Sequence, residues 1–225
     1  MNPAAAIQEL HHQDWRPKYS QFLTIALVTA FFTSNILAYK YVALAGLHFG
    51  ASAALFPFAL IIGDALSEVY GFRQTRNAIL ISLVCYCFFV AMAFFTVWLP
   101  PAPEWKLQHD YEMFFSTTGR VFLGTSLAFL VSQILNAFVF VKIKVLMHGK
   151  NFYVRALAAT ILSEFAHTIV IGPIVFGSIL SLDKLAALIL TATLIKIGIE
   201  ILLLPFTWLL ICWLKRAEGV DYYDA

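Results

Sequence analysis

The stretch Gly63–Arg76, GDALSEVYGFRQTR, decides how the rest of the chain is interpreted. It follows the apolar run SAALFPFALII, and together they are long enough to form a membrane-spanning helix. Asp64 and Glu68 are four residues apart and therefore lie on one face of that helix. The helical pattern ends at Gly71, after which the segment becomes basic. The stretch predicts a membrane helix that places carboxylates inside the bilayer, where they could serve a function, and that ends at a turn.

The composition of the 225-residue chain indicates that most of its surface faces lipid. Hydrophobic residues make up 61% of the chain and charged residues 12%, and the mean hydropathy is +0.81. Soluble domains average about 45–50% apolar and about 25% charged residues. The few Lys and Arg residues are scattered between apolar runs and form no nucleic-acid-binding face. We therefore predict an all-α integral membrane protein.

Six apolar segments are each long enough to cross a hydrocarbon core about 30 Å thick as a helix. We expect them to form a single bundle, the transmembrane domain 20–214, between a cytoplasmic tail at 1–19 and another at 215–225. The polar N-terminus lacks the features of a secretory signal. The predicted spans are 20–45, 51–70, 77–99, 120–143, 154–180 and 184–213.

The distribution of basic residues between the loops predicts the orientation of the bundle. Lys and Arg concentrate in cytoplasmic loops of membrane proteins. One side of the predicted bundle has only Lys106, Arg120 and Lys184, with Lys40 near the end of the first span. The other side has Arg16, Lys18, Arg73, Arg76, Lys142, Lys144, Lys150, Arg155, Lys215 and Arg216. Both termini are therefore predicted to be cytoplasmic.

Ionisable residues at membrane depth are costly, so each one is a candidate for function. The predicted spans carry three close pairs: Asp64 with Glu68, Glu164 with His167, and Lys196 with Glu200. Members of each pair are three or four residues apart and share a helix face. At 1.5 Å per residue, Asp64, Glu164 and Lys196 all fall near the middle of the bilayer. The sequence therefore predicts a polar site where three helices meet.

Each of these charges also has a structural interpretation. Glu68 is long enough to extend to the cytoplasmic interface. Asp64 can form an ion pair with Lys196, with or without binding a ligand, and Glu200 can neutralise Lys196 along the same helix. His167 can titrate and contribute to proton coupling, or pack as a hydrogen-bonded core residue.

Amide side chains in the first and fourth spans extend the list of candidates. Asn35, Gln133 and Asn136 can hydrogen-bond between helices or contact a polar ligand. The Glu164-x-x-His167 spacing occurs in di-metal bundles, but the second copy that such a site needs is missing, so no metal is predicted. The chain has neither a serine–histidine protease pattern nor a zinc-protease motif. We predict no enzymatic activity and no cofactor.

The segment around the opening stretch resembles a known family. LFPFALIIGDALSEVYGFRQTRNAI is similar to the signature of the queuosine-precursor transporter family, also called the vitamin uptake transporter family. The resemblance extends over about residues 20–213, and its further matches are Ser34 with Asn35, Gln133 with Ile134 and Leu135, Arg155, Lys196 and Pro205. The chain departs from the pattern at Asn136, where an acidic residue is expected, and at His167, where an aspartate usually precedes threonine.

The resemblance implies import of a 7-deazaguanine, such as the cyano or aminomethyl precursor or queuine, for salvage of tRNA queuosine. It places the protein in a bacterial inner membrane. A guanine-like ring offers two parallel donors that one carboxylate can accept, and an aromatic platform such as Phe56 or Tyr70 would suit the flat ring. The predicted substrate-binding residues are Asp64, Glu68, Asn35, Gln133, Asn136, Glu164, His167 and Lys196.

The partners that this interpretation implies are a small-molecule substrate and the lipid bilayer. A homodimer or coupling subunits are left open. The alternative function is that of a substrate-capture subunit in a larger energy-coupled importer, which would need an ATPase partner.

Overall fold

The structure is a computed structural model that describes residues 17–37, 41–44, 47–50, 52–116, 118–177 and 181–219. Residues 1–16 of the predicted N-terminal tail, residues 220–225 of the predicted C-terminal tail, and Lys40 lie outside the described residues. The described part contains six helices and one short hairpin. Its elements are α1 (Ser20–Leu37), β1 (Tyr41–Leu44), β2 (Leu47–Gly50), α2 (Ser52–Trp98), α3 (Gln108–Ser116), α4 (Thr118–Leu146), α5 (Phe152–Phe176) and α6 (Leu182–Glu218).

The surface of the bundle is apolar and much of its interior is polar, which is the reverse of a soluble protein. Phe22, Phe88, Leu202 and Phe206 are exposed, although each would be buried in a water-soluble domain. Five helical segments are long and apolar enough to cross a membrane: Ser20–Leu37, Leu55–Trp98, Gly124–Leu146, Phe152–Val175 and Leu182–Glu218. The chain is therefore a multi-pass membrane protein.

Helix α2 is broken in the middle. Its apolar segment Leu55–Trp98 has 44 residues, which would extend about 66 Å as one straight helix, twice the hydrocarbon thickness. At Gly71 the backbone takes φ 79° and ψ 175°, a conformation open mainly to glycine. The hydroxyls of Ser67 and Thr75 lie 3.3 Å apart, although eight residues of straight helix would separate them by about 12 Å. The two arms of α2, residues 52–70 and 72–98, therefore fold back on each other.

The predicted first span, 20–45, is wrong at its C-terminal end. Tyr41–Leu44 forms a strand that pairs antiparallel with Leu47–Gly50, so that a helix cannot continue to residue 45. The aromatic and β-branched side chains of this segment favour an extended backbone. The pairing extends from Tyr41 with Gly50 to Leu44 with Leu47.

Helix α6 shows how the membrane helices place their polar residues. Its buried residues recur every three or four positions and include Lys196, Glu200 and Thr207, so they form one stripe along the helix. The helix continues to Glu218, beyond the predicted end at residue 213. Gly219 ends it in the left-handed conformation, with its N–H donated to the Lys215 carbonyl.

The carboxylate of Glu218 joins the last helix to the first. It accepts hydrogen bonds from the backbone N–H of Lys18 at 2.9 Å and of Tyr19 at 2.8 Å. These N–H groups stand at the start of α1, where a helix leaves donors unpaired and favours negative charge. The Tyr70 hydroxyl donates to the same carboxylate at 2.7 Å. Glu218 therefore fastens α1, α2 and α6 together at one end of the bundle.

Replacement of Tyr70 by Phe is expected to lower the free energy of unfolding by about 1.5 kcal/mol, because a buried hydrogen bond to a charged acceptor is lost. Chemical unfolding of the purified protein in detergent measures the change. Tyr153 is exposed, and Tyr153→Phe is the matched control with an expected change near zero. Equal stability of the two variants would show that the Tyr70 hydroxyl does not help to fasten the bundle.

Candidate functional site

Two groups of polar side chains lie inside the bundle. The Glu68 cluster consists of Glu68, Lys144, Arg155 and Lys215. The central polar cluster consists of Asp64, Gln133, Asn136, Thr160, Ser163, Glu164, His167, Lys196 and Glu200. Asp64 is one helical turn from Glu68 on α2, so the two groups are neighbours.

In the Glu68 cluster a single carboxylate joins four helices. Arg155 donates to both oxygens of Glu68, with Nη1 2.6 Å from Oε2 and Nη2 3.2 Å from Oε1. Lys215 Nζ is 2.7 Å from Oε1, and Lys144 Nζ donates to the Glu68 backbone carbonyl at 2.7 Å. The side chains of Glu68, Arg155 and Lys144 are at most 1% exposed. The Arg155 guanidinium also lies 5.2 Å from the centre of the Phe140 ring.

This geometry favours a structural role for Glu68. Both of its carboxylate oxygens already accept hydrogen bonds from cations, and its side chain is 1% exposed. Lys144 and Arg155 are counted among the loop charges in the sequence, and Arg155 also among the family matches; both are buried parts of the same cluster. Their positions at the ends of α4 and α5 gave no sign of a shared partner, because sequence position does not show which helices are neighbours.

In the central polar cluster, Asp64 is bound through α4. Asn136 Nδ2 donates to Asp64 Oδ1 at 2.7 Å, and Asn136 Oδ1 lies 3.3 Å from the Ser163 hydroxyl of α5. The two contacts determine which way the amide of Asn136 points, because one end donates and the other accepts. Asn136, which stands where the family resemblance suggests an acid, therefore supplies Asp64 with a donor.

Lys196 pairs with Glu164 and not with Asp64. Its Nζ lies 3.0 Å from Glu164 Oε2 and 2.9 Å from His167 Nδ1. It also lies 4.9 Å from the centre of the Phe56 ring, and this ring packs against the His167 ring with centroids 4.6 Å apart. The prediction that α2, α5 and α6 bring charges to one place is confirmed. The Asp64–Lys196 ion pair, one of the alternatives that the sequence left open, is not among the described contacts, because α5 supplies a carboxylate 3.0 Å from Lys196 Nζ.

Glu200 has a different environment from the other two carboxylates. Its Oε1 accepts a hydrogen bond from the Thr160 hydroxyl of α5, and its side chain is buried. The charges of Asp64 and Glu164 both act on it electrostatically. Among the sequence alternatives, Glu200 could neutralise Lys196. The described contacts of Lys196 are instead with Glu164 and His167.

Several buried polar atoms of the central polar cluster have no hydrogen-bond partner among the described residues. They are Gln133 Nε2, both oxygens of Glu164 and Glu200 Oε2. Glu164 Oε2 is close enough to Lys196 for an ion pair but lacks the angles of a hydrogen bond. Buried polar groups are satisfied in more than nine cases in ten. These atoms have hydrogen-bonding capacity that a polar ligand could use.

Gln133 approaches α2 closely at a glycine. A Cβ placed on Gly63 would lie 2.9 Å from Gln133 Oε1, which is closer than real Cβ contacts. Gly63 therefore makes room for the amide beside Asp64. Two further predicted residues are placed elsewhere. Asn35 donates to the Phe31 carbonyl of its own helix at 2.7 Å, and Tyr70 contacts Glu218 rather than the central polar cluster.

Metal ligation has no support in the part of the chain that the structure describes. No group of three or more His, Cys, Asp or Glu side chains there is arranged to hold a metal ion. The chemistry that the cluster offers is hydrogen bonding: carboxylates that accept, an amide that donates, and an ammonium beside an aromatic ring.

A family of known proteins matches most of the chain. The profile of a family described as "Putative vitamin uptake transporter" matches residues 50–210, which include every member of the central polar cluster. The chain belongs to this family. The transporter is also similar to a "Probable queuosine precursor transporter" of Bacillus subtilis (strain 168). The two are 24% identical over 192 residues, which cover 85% of this chain and 83% of the relative. No solved structure matches the transporter.

Proposed function

We propose that the transporter imports queuosine precursors, 7-deazaguanine bases, across a bacterial inner membrane for the salvage of tRNA queuosine. The observation that supports this substrate class best is the set of unpartnered buried atoms in the central polar cluster. A guanine-like base presents a ring N–H and an exocyclic amine side by side, and a carboxylate accepts such a pair with its two oxygens. Unsatisfied acceptors and an unsatisfied amide donor are what such a base would contact.

Glu164 suits the parallel donors better than the other carboxylates. Neither of its oxygens accepts a hydrogen bond from the described residues, whereas Glu68 accepts from two cations. Phe56, beside Lys196, offers a face for the flat ring. Gln133 Nε2 would donate to the ring carbonyl. Asp64, oriented by Asn136, would accept an N–H from another edge of the base.

The proposed topology has six crossings with both termini in the cytoplasm. The two arms of α2 supply the second and third crossings, because Gly71 breaks a segment that is too long for one. Residues assigned to the cytoplasmic side, Lys18, Lys144, Arg155 and Lys215, lie together at one end of the bundle around Glu68 and Glu218. This clustering supports a common side for those loops.

Uptake in a bacterium that lacks both the synthesis of these precursors and its own importer, but keeps the later steps of queuosine formation, tests the proposal. The cells are supplied with the cyano or aminomethyl precursor, and the queuosine content of tRNA is measured with and without the transporter. Queuosine is expected only when the transporter is present. The absence of queuosine with either precursor, despite normal amounts of protein in the membrane, would refute the proposed substrate class.

Gly63→Ala is expected to reduce uptake roughly three- to tenfold, the equivalent of one neutral hydrogen bond, because the new methyl group displaces the Gln133 amide. Stability should change little, since the displaced atom ends a flexible side chain and alanine favours the helix by about 1 kcal/mol. Gly198→Ala is the matched control, because nothing lies within 4 Å of a Cβ there. Equal uptake by both variants would remove Gln133 from the proposed site.

A further inference from the structure

The central polar cluster contains more negative groups than positive ones. Asp64, Glu164 and Glu200 are carboxylic acids, and each is at most 2% exposed. Lys196 is the one Lys or Arg within the cluster. If all three acids were ionised, the cluster would hold two more negative than positive charges in a medium of low dielectric. Buried charges without compensation are strongly disfavoured.

His167 does not supply a second positive charge. Its Nδ1 lies 2.9 Å from Lys196 Nζ. An ammonium group can only donate hydrogen bonds, so Nδ1 must accept. An imidazole whose Nδ1 accepts is neutral. As long as Lys196 is charged, the cluster therefore has a single cation.

The surrounding helices supply no ion-pair partner for Glu200 among the described residues. The described part of α1 contains no Asp, Glu, His, Lys or Arg, and neither do residues 77–98 of α2 or residues 121–141 of α4. On α5 the charged or titratable groups that face the cluster are Glu164 and His167. The nearest further charges are those of the Glu68 cluster, where three cations surround one carboxylate one turn from Asp64. Their surplus positive charge can offset Asp64, but their ion pairs are made with Glu68 and not with Glu200.

Of the three carboxylates, Glu200 has the weakest partner to stabilise its negative charge. Glu164 has the Lys196 ammonium at 3.0 Å, and Asp64 has the Asn136 amide at 2.7 Å. Glu200 has only the Thr160 hydroxyl, which bonds to Oε1, while Oε2 has no hydrogen-bond partner among the described residues. The Gln133 amide, also buried, leaves its Nε2 unpartnered as well, so the same interior lacks polar partners at two separate points.

We propose that Glu200 binds an exchangeable proton that enters together with the substrate. The carboxylate takes one proton from the outer solution. The loaded transporter then releases substrate and proton inside, and the carboxylate returns to the outer side ionised. Each cycle moves one positive charge inward with a neutral base. A proton fits better than a metal ion, because the described residues offer no metal-binding group. The inference rests on the proposed function, since the base is the cargo that moves with the proton.

The test uses purified transporter in liposomes, with the uncharged 7-cyano-7-deazaguanine as probe. A potassium gradient and valinomycin set an inside-negative potential. For one charge per substrate, a potential of about 59 mV should give tenfold accumulation inside. A pH-sensitive dye should report proton entry with the base. Uptake that only equilibrates, with no response to potential or pH gradient, would overturn the proposal while leaving the proposed function standing.

Comparison of the aminomethyl base with the cyano base in the same liposomes distinguishes proton coupling from two other outcomes. If the aminomethyl base accumulates with potential and the cyano base does not, the positive charge comes from the ammonium group of the substrate, and the proton proposal is wrong. If neither base enters, the proposed function fails, and the inference fails with it.

Substitution of Glu200 tests whether this residue binds the coupled proton. In Glu200→Gln the ratio of cyano-base accumulation with the potential of about 59 mV to accumulation without it should fall from about ten to about one, whatever the rate of uptake. Glu104→Gln, at an exposed position, should keep the higher ratio. Full accumulation by Glu200→Gln would remove Glu200 from the proposal. If Glu200→Gln does not fold, the potential and pH response of the unaltered transporter still decides whether a proton is coupled.

Discussion

Glu68→Gln is expected to lower the free energy of unfolding by about 4 kcal/mol, because it removes the negative partner of buried cations. The substitution preserves the size of the side chain. It leaves Arg155 and Lys144, each at most 1% exposed, facing one another without the carboxylate that joins them. Four helices meet at this carboxylate, so its loss should affect the whole bundle. Chemical unfolding of the purified protein in detergent provides the measurement.

Glu104→Gln is the matched control for this substitution. Glu104 is exposed in the connection between α2 and α3, and surface substitutions usually change stability by less than about 0.5 kcal/mol. Measurement of uptake in the same variants distinguishes the two roles considered for Glu68. Normal stability of Glu68→Gln together with lost uptake would show that Glu68 binds substrate and that its ion pairs are not what hold the helices together.

Asp64→Asn is expected to reduce uptake roughly 10- to 100-fold, because a charged acceptor in a buried site is replaced by a neutral amide. The fold should tolerate this change. Asparagine has the same shape, and its oxygen can still accept the hydrogen bond from Asn136 that Asp64 accepts at 2.7 Å. Uptake is measured as tRNA queuosine in the importer-deficient bacterium, and stability by unfolding in detergent.

Asp183→Asn provides the comparison for Asp64→Asn. Asp183 is exposed in the first turn of α6, and the same chemical change there should leave uptake intact. Wild-type uptake in the Asp64 variant would contradict the proposed role of this residue. A large loss of stability in that variant would instead assign Asp64 to the packing of α2 against α4.

Much of the site could be predicted because depth and helix face follow from residue position. Asp64, Glu164 and Lys196 were placed at one level by counting residues, and the contacts among α2, α4, α5 and α6 place them in one cluster. The break at Gly71 was equally predictable, since glycine and the basic residues after it interrupt an apolar helix. The hairpin at residues 41–50 was missed, because its apolar side chains continue the pattern of the preceding helix.

Which residue forms an ion pair with each buried charged side chain could not be predicted. The sequence left Asp64 and Glu200 open as partners of Lys196, and in the structure Lys196 pairs with Glu164. Arg155 was counted as a loop charge, and it is the main partner of Glu68. Both differences have the same origin: a helix sequence determines the height and face of each side chain, but not which neighbouring helix that face meets.

The sequence alone was enough to identify a multi-pass membrane protein and the break of α2 at Gly71, and it predicted that carboxylates, amides and a lysine lie near the middle of the bilayer. These properties depend on local composition and on the 1.5 Å rise of a helix. Only the tertiary structure decided that Glu68 is saturated by cations while Glu164 and Glu200 keep unpartnered oxygens. That distinction depends on how four helices pack against one another. A shift of a few ångströms between helices decides whether a carboxylate forms a structural ion pair or remains available to a substrate or a proton.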